Sequence, residues 1–476
     1  MLKKHIVKKL TSYFQHNFTP SQTVLTDGLA GFLTNESSKE VLIIKGFAGT
    51  GKTTIMKAFV DLLKEYTIPV RLMAPTGRAA KVLSSYVGHP AFTIHRVIYR
   101  QKKAGSIDSK FELNFNKLKN GIFIVDEASM ISGTSYENTL FGSGNLLEDM
   151  LQYIFGTGSG SKLIIIGDTA QLPPVGFEDS PALNTSEYEI MGFNTDEYFL
   201  SDVVRQEAES GILYNATLLR EKLDDESIFS FPSPEIYLNS FTDIKRINGG
   251  ELIEELSVCY DKYGIEDTIV ICRSNKRANL YNKGIRGSIL FREEQITRGD
   301  LLMIVKNNYY WLRDNKDIEF IANGDIAEVI HISGYEELYG KHFANVSLRL
   351  VDYDETEIDV KILLDTLESE SAGMTRPDQE EFYNTVMEDY LDLPTAKKRY
   401  DAMRENPYFN ALQVKFAYTL TAHKAQGGQW KAVFIDQGYI PEEQMDRSYI
   451  RWLYTSFTRA TEKLYLVNFK DEFFVK

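Results

Sequence analysis

The stretch Gly46-Phe47-Ala48-Gly49-Thr50-Gly51-Lys52-Thr53-Thr54 has the residue types and spacing to hold a chain of phosphates. Its glycines let the backbone turn tightly and aim N–H groups at phosphate oxygens. A helix beginning at its end adds unpaired donors and a partial positive charge. Lys52 can reach the β- and γ-phosphates of a nucleoside triphosphate, and the Thr53 hydroxyl can ligate Mg²⁺. Asp126-Glu127 supplies a natural companion pair: the Asp can hold Mg²⁺, often through water, and the Glu can deprotonate the attacking water. Gln171, in Gly167-Asp168-Thr169-Ala170-Gln171-Leu172-Pro173-Pro174-Val175, can donate to a γ-phosphate, or sit as a solvated Gln in a Pro-rich turn. Arg205 and Arg459 can offset the charge that spreads during phosphoryl transfer, an effect worth ~10³–10⁵ in rate elsewhere. A lone arginine is usually a solvated charge, but one as far along the chain as Arg459 could, from a second core, complete the site only when the two cores close.

These groups need elements to position them. Val41-Leu42-Ile43-Ile44 reads as a buried strand before the phosphate loop, and Ile55 to Leu63 as a helix after it. Residues 1–35 read as helix, with Thr19 as N-cap and Pro20 at the first helical position of a start at Phe18-Thr19-Pro20-Ser21-Gln22. Val70 to Ala74, Ile122 to Val125 and Leu163 to Ile166 are further buried strands. Separated by helical segments, they predict a parallel sheet covered on both faces. Thr268 to Cys272, Val433 to Asp436 and Leu464 to Val467 repeat the style. The fold class is therefore α/β, with two cores, the second beginning near residue 200. Residues 96–118 read as a β-hairpin excursion around Ala104-Gly105-Ser106. Residues 299–360 read as β-rich, with turns at Arg313-Asp314-Asn315 and Asn323-Gly324-Asp325, and 361–410 as helical.

Composition bounds the function without naming it. A chain of 476 residues, 43% hydrophobic and 25% charged, can bury two or more cores. No apolar run approaches the ~20 residues needed to cross a bilayer. The basic start Met1-Leu2-Lys3-Lys4-His5 lacks the apolar stretch of a signal peptide. Cys259 and Cys272 are too few for a disulfide or zinc framework and read as reduced thiols, which suits the cytoplasm. The net charge of −14 is concentrated: residues 351–393 hold 14 Asp/Glu against Lys361 and Arg376. The nearly neutral remainder can carry a local basic groove, so composition neither supports nor excludes DNA or RNA.

The motifs, in order, resemble the superfamily 1 helicases of the RecD and phage Dda group. They are Pro20-Ser21-Gln22, Gly46 to Thr54, Ala74-Pro75-Thr76-Gly77-Arg78-Ala79-Ala80, Thr93-Ile94-His95, Val125 to Met130, Gly167 to Pro174 and Val204-Arg205-Gln206. They continue with Tyr418 to Gly427, which holds Thr421-Ala422-His423-Lys424, and with Tyr454 to Ala460. The resemblance spans both cores, and a generic ATPase has no reason to carry the His423 segment.

The resemblance implies two RecA-like cores with a nucleotide between them. Gln22 would read the adenine edge, and Gly46, Ala48, Gly49, Thr50, Gly51, Lys52, Thr53 and Thr54 would cradle ATP. Thr53 and Asp126 would hold Mg²⁺, while Lys52, Glu127, Gln171, Arg205 and Arg459 would serve hydrolysis. Thr76, His95, Thr421, His423 and Lys424 would line a single-strand path. Taken alone, the two histidines read as structural and Lys424 as a solvated charge. The implied division is a first core of 1–95 and 119–199, a pin of 96–118, a second core of 200–298 and 411–476, and a β-barrel with helical arm of 299–410. The aromatic at the fork is left open between Phe111 and Phe115. The implied function is an ATP-dependent DNA helicase moving 5′→3′ on single-stranded DNA and acting on forked or tailed duplexes as a monomer. Two rivals stay open: an RNA helicase of the same superfamily, and a nucleic-acid-binding module whose ATP site only switches conformation. A phosphate-loop kinase is disfavoured by the His423 segment.

Overall fold

The structure, a computed structural model, describes every residue except 15, 36, 38, 102–110, 134–141, 157, 203–209, 225–233, 239–240, 314–319, 352, 354–355 and 476. In chain order the first strands are β1 (Glu40–Gly46), β2 (Val70–Ala74) and β3 (Ala91–Thr93). A short antiparallel pair follows, β4 (Tyr99–Gln101) with β5 (Phe111–Leu113), then β6 (Ile122–Val125), β7 (Lys162–Gly167) and β8 (Asn194–Leu200). Six of these form a parallel sheet in the order β3-β2-β6-β7-β1-β8. The period-two alternation of a strand decides what each face buries. Leu42, Ile44, Ile124 and Ile164 face the helices Leu2–Tyr13, Pro20–Thr34 and Lys52–Glu65. Val41, Ile43, Val125 and Ile165 face the helix Leu146–Phe155. Each such side chain contributes about 1.5–3 kcal/mol by leaving water. The pair β4 and β5 occupies the expected excursion. Its turn, Ala104-Gly105-Ser106, and the Phe111 side chain lie outside the described residues, as do Asp314-Asn315.

The second half is built the same way. β9 (Ile244–Ile247) and β10 (Thr268–Cys272) come first. β11 (Leu301–Ile304), β12 (Ile326–Leu338), β13 (Lys341–Leu350), β14 (Thr356–Leu363) and β15 (Leu412–Phe416) close a barrel. β16 (Thr419–Thr421), β17 (Trp430–Asp436) and β18 (Ala460–Val467) then return to a parallel sheet ordered β16-β10-β17-β18-β9. The chain is thus α/β with two parallel-sheet cores and inserted subdomains, as expected. One boundary differs: Leu412–Phe416, read as second core, closes the barrel by pairing with β11 and, in parallel, with β14. A parallel pair needs a long crossover. The helical arm, with helices Arg376–Glu388 and Ala396–Arg404, is that crossover.

The arm lies on the barrel. Phe382, Val386 and Met403 of the arm pack with Phe343 and Leu363 of the barrel. The Tyr408 hydroxyl, Lys361 and Asn345 beside Glu336 draw its carboxyl down to about 2 and clip the arm's end to the β12–β13 hairpin.

Barrel and second core are joined through a buried charge. Asp300, with no exposed surface, accepts from Arg286 Nη2 at 3.0 Å, Arg292 Nη1 at 2.8 Å, the Tyr418 hydroxyl at 2.7 Å and the Thr297 amide at 2.7 Å. Removing one partner of such a network strands the other charges. Asp300→Ala should therefore lower stability by about 3–5 kcal/mol, read as a reduced urea midpoint.

Candidate nucleotide site and strand path

The phosphate loop needs left-handed backbone at Gly49 (φ 77°) and Gly51 (φ 79°), which only glycine adopts without strain. Lys52 lies across the loop, donating from Nζ to the carbonyls of Gly46 and Phe47 at 2.7 Å each. Thr53 and Thr54 open the helix Lys52–Glu65, whose unpaired first N–H groups and dipole favour an anion. Gln22 braces the loop from the first helices. Its Nε2 donates to the Thr50 carbonyl at 3.0 Å, while its Oε1 accepts from the Thr19 amide at 3.0 Å in a capping box.

The carboxylates stand at the end of β6. Asp126 Oδ1 accepts from the Glu127 amide at 2.9 Å, and burial with the neighbouring Glu127 carboxylate pushes the Asp126 carboxyl up to about 6. Glu127 has φ 52°, a strained conformation for a residue with a side chain. Such strain costs about 1–3 kcal/mol and concentrates at functional sites. Gln171 is buried, and its Oε1 has no hydrogen-bond partner among the described residues. Among the described residues, no cluster of three His, Cys, Asp or Glu side chains could hold a metal on its own. Mg²⁺ takes one or two protein oxygens beside substrate phosphates. The Thr53 hydroxyl, the Asp126 carboxyl and the orphaned Gln171 oxygen fit a magnesium–nucleotide complex.

The second core reaches into this site. Arg459 is almost fully buried, donates to the carbonyls of Thr455 (3.0 Å) and Gly428 (3.2 Å), and brings Nη1 to 3.9 Å from Glu127 Oε1. Arg205, the other arginine candidate, lies outside the described residues. Tyr454, which sequence reading assigned no role, binds both sides of the junction. Its hydroxyl accepts from the Ala48 amide of the phosphate loop at 2.9 Å and donates to Asp168 Oδ2 at 2.6 Å. Burial and Asp168 push that hydroxyl far up, so it remains a donor. The Leu172 amide donates to Thr455 Oγ1 at 2.9 Å, and Gln426 Nε2 donates to the Leu172 carbonyl at 2.7 Å. The segment 168–172 is thus gripped by the second core, while the Gln171 Oε1 within it has no hydrogen-bond partner among the described residues. Tyr454→Phe leaves a buried carboxylate and amide without their partner. It should lower stability by about 1–3 kcal/mol in thermal unfolding.

A cleft of about 290 Å³ lies where the first core, the second core and the barrel meet. Thr76 and His95 line it from the first core, His423 and Lys424 from the second. Asn323 and Gly324 of the expected turn line it from the barrel, with Asn307 and Phe320, which sequence reading missed. Thr421 stands one residue before the helix Ala422–Ala425 that carries His423 and Lys424. Lys424 Nζ donates to Asn323 Oδ1 at 2.7 Å. Burial pushes His95 down to about 4 and lowers His423, so both imidazoles are neutral near pH 7 and offer hydrogen bonds rather than charge. Gly427 (φ 73°) lets the second core approach the first: a Cβ there would lie 2.7 Å from Ala79 Cβ. Beside the β4–β5 pair, exposed Phe115 carries Arg100 4.6 Å above its ring.

Comparison with known proteins agrees with this anatomy. Residues 30–228 match the family described as AAA domain, and residues 416–467 match the UvrD-like helicase C-terminal domain. An uncharacterized protein of Acanthamoeba polyphaga mimivirus is 24% identical over 94% of this chain and 99% of its own length. The ATP-dependent RecD2 DNA helicase of Deinococcus radiodurans is 32% identical over 32% of this chain and 18% of its own. The ATP-dependent DNA helicase Pif1 of a Psychrobacter species is 22% identical over 84% of this chain and 63% of its own. The chain therefore spans less than two thirds of either named helicase. No helix among the described residues is long and apolar enough to cross a membrane. The order of the two family matches, one on each parallel-sheet core, and these relatives together assign the chain to the superfamily 1 helicases, in their RecD/Pif1-like group.

Proposed function

We propose that the chain is an ATP-dependent DNA helicase that moves 5′→3′ along single-stranded DNA and opens forked or tailed duplexes. The observation that carries the reading is the junction itself: Arg459 of the second core stands 3.9 Å from Glu127 of the first. In this reading Gln22, Gly46, Ala48 and the residues Gly49 to Thr54 hold ATP, and Thr53 and Asp126 hold Mg²⁺, which supplies charge neutralisation on the phosphates. Glu127 takes the proton of the attacking water. Lys52, Arg205 and Arg459 meet the charge that spreads over the transferring phosphoryl group. Gln171 senses the γ-phosphate, and its segment, held by Tyr454, Thr455 and Gln426, passes the change to the second core.

Thr76, His95, Thr421, His423 and Lys424 grip the strand, and alternation of grip between the cores gives directed steps. Opening one stacked base pair costs ~1.4 kcal/mol, so a step of about one base pair per cycle is within reach. The division into cores, pin, barrel and arm belongs to the same proposal, with Leu412–Phe416 assigned to the barrel.

Two partial duplexes, one with a 5′ tail and one with a 3′ tail, test it directly. Unwinding of the 5′-tailed substrate alone is expected, and unwinding of only the 3′-tailed one overturns the polarity. ATPase stimulation by matched DNA and RNA oligonucleotides separates the two superfamily readings, with the larger stimulation expected from DNA.

A further inference from the structure

We propose that the cleft between the barrel and the helical arm is a second single-strand binding site, continuing the strand path and stacking unpaired bases on its tyrosines. The inference rests on the helicase reading above and extends it. The cleft measures about 1020 Å³, against about 290 Å³ for the path between the cores. It is at the upper end of the range for small-molecule pockets, where roughly 300–1,000 Å³ is usual.

Helical periodicity explains what it offers. Along Arg376–Glu388, the residues Arg376, Gln379, Glu380, Tyr383 and Asn384 share one face and line the cleft. Phe382 and Val386 turn toward the barrel and pack with Phe343 and Leu363, Phe382 also forming part of the cleft wall. The acidic Asp378, Glu381 and Glu388 do not line the cleft and are exposed elsewhere. From the helix Ala396–Arg404 come Tyr400 and Arg404, four residues apart and so on one face. The barrel adds Lys306, Tyr310 and Arg313. The arm's large negative charge is thus turned away, while four basic side chains face the cleft against two acidic ones, Glu380 and Glu405.

That pairing of tyrosine faces with basic tips is what sequence-tolerant single-strand binding uses. Asn384, exposed, and Tyr400 and Arg404, half-buried, present their side chains along the cleft wall. The cleft also joins the first path. Asn307 lines both. Its Oδ1 accepts from the Asn323 amide at 2.6 Å, and Asn323 Oδ1 accepts from Lys424 of the strand path. A strand leaving the space between the cores therefore meets the barrel lip at Asn307 and passes directly onto the tyrosines.

Oligothymidylates of about 8 and about 16 nucleotides test this on the full chain. Wild-type protein should bind the longer one more tightly, and its ATPase should respond to both. Tyr383→Ala with Arg404→Ala should weaken the longer oligonucleotide by about 5- to 100-fold. The same change should leave binding and stimulation by the shorter one unaltered. Glu380→Gln, which removes a negative charge from the cleft, should shift the longer oligonucleotide in the opposite direction, to tighter binding. Equal affinity for both lengths in wild type overturns the proposal. So do unchanged affinities in the variants at matched thermal stability. Failure of the short oligonucleotide to bind or stimulate at all would instead overturn the helicase reading on which the proposal stands.

Discussion

Replacing Arg459 by alanine should lower DNA-stimulated ATP turnover by about 10³–10⁵, the range found when a phosphate-loop enzyme loses an inserted arginine. Nucleotide binding should change far less. The argument is geometric. The loop, Lys52 and both carboxylates belong to the first core and remain in place without Arg459. What disappears is the guanidinium that the second core places 3.9 Å from Glu127. It is nearly fully buried, so solvent cannot substitute for it. Its Nε and Nη1 are fixed by the carbonyls of Thr455 and Gly428. Arg459→Lys is the informative companion. It keeps a charge but loses the planar fork that these carbonyls orient, so it should restore only part of the rate. Stimulated kcat and the Kd for ATP, measured on the same preparations, separate the two effects. A stimulated rate equal to wild type in Arg459→Ala would remove the composite site.

Some of this was legible in the residues, for identifiable reasons. The strands buried on both faces, such as Ile122–Val125 and Thr268–Cys272, are continuous apolar runs and read directly. The strand Asn194–Leu200 did not, because it is an edge with one neighbour, and Asn194, Asp196 and Glu197 point to water. The barrel's last strand was assigned to the wrong neighbour because the arm separates it from its partner β14. The catalytic candidates were legible as motifs, since glycine spacing and a carboxylate pair carry their own chemistry.

Tyr454 was not legible in this way. Its bond to Ala48 joins residues 406 apart, and a tyrosine in an aromatic-rich helix looks like core. The arm's charge is legible only in part: its excess of Asp and Glu stands in the sequence, and folding decides which helix face those carboxylates occupy.

Glu127→Gln should lower turnover by about 10²–10⁴ while ATP binding persists, because general-base catalysis contributes that much and the substitution removes little else. The side chain keeps its length and branching, so the left-handed backbone at φ 52° is no more strained than before. Asp126 retains the Glu127 amide that its carboxylate accepts, so the metal-ligand candidate should stay oriented. The phosphate contacts of Lys52 and the loop are untouched. Loss of the 3.9 Å approach between the Glu127 carboxylate and Arg459 is the one structural change. At 3.9 Å the contact is long, and the glutamine amide keeps an oxygen that can face the guanidinium, so the fold should tolerate the change. Lys52→Ala provides the contrast, since it removes a phosphate contact and should impair nucleotide affinity as well as rate. Single-turnover hydrolysis with ATP prebound isolates the chemical step. If Glu127→Gln hydrolyses bound ATP at the wild-type rate, another group takes the proton and Glu127 holds only the junction with Arg459.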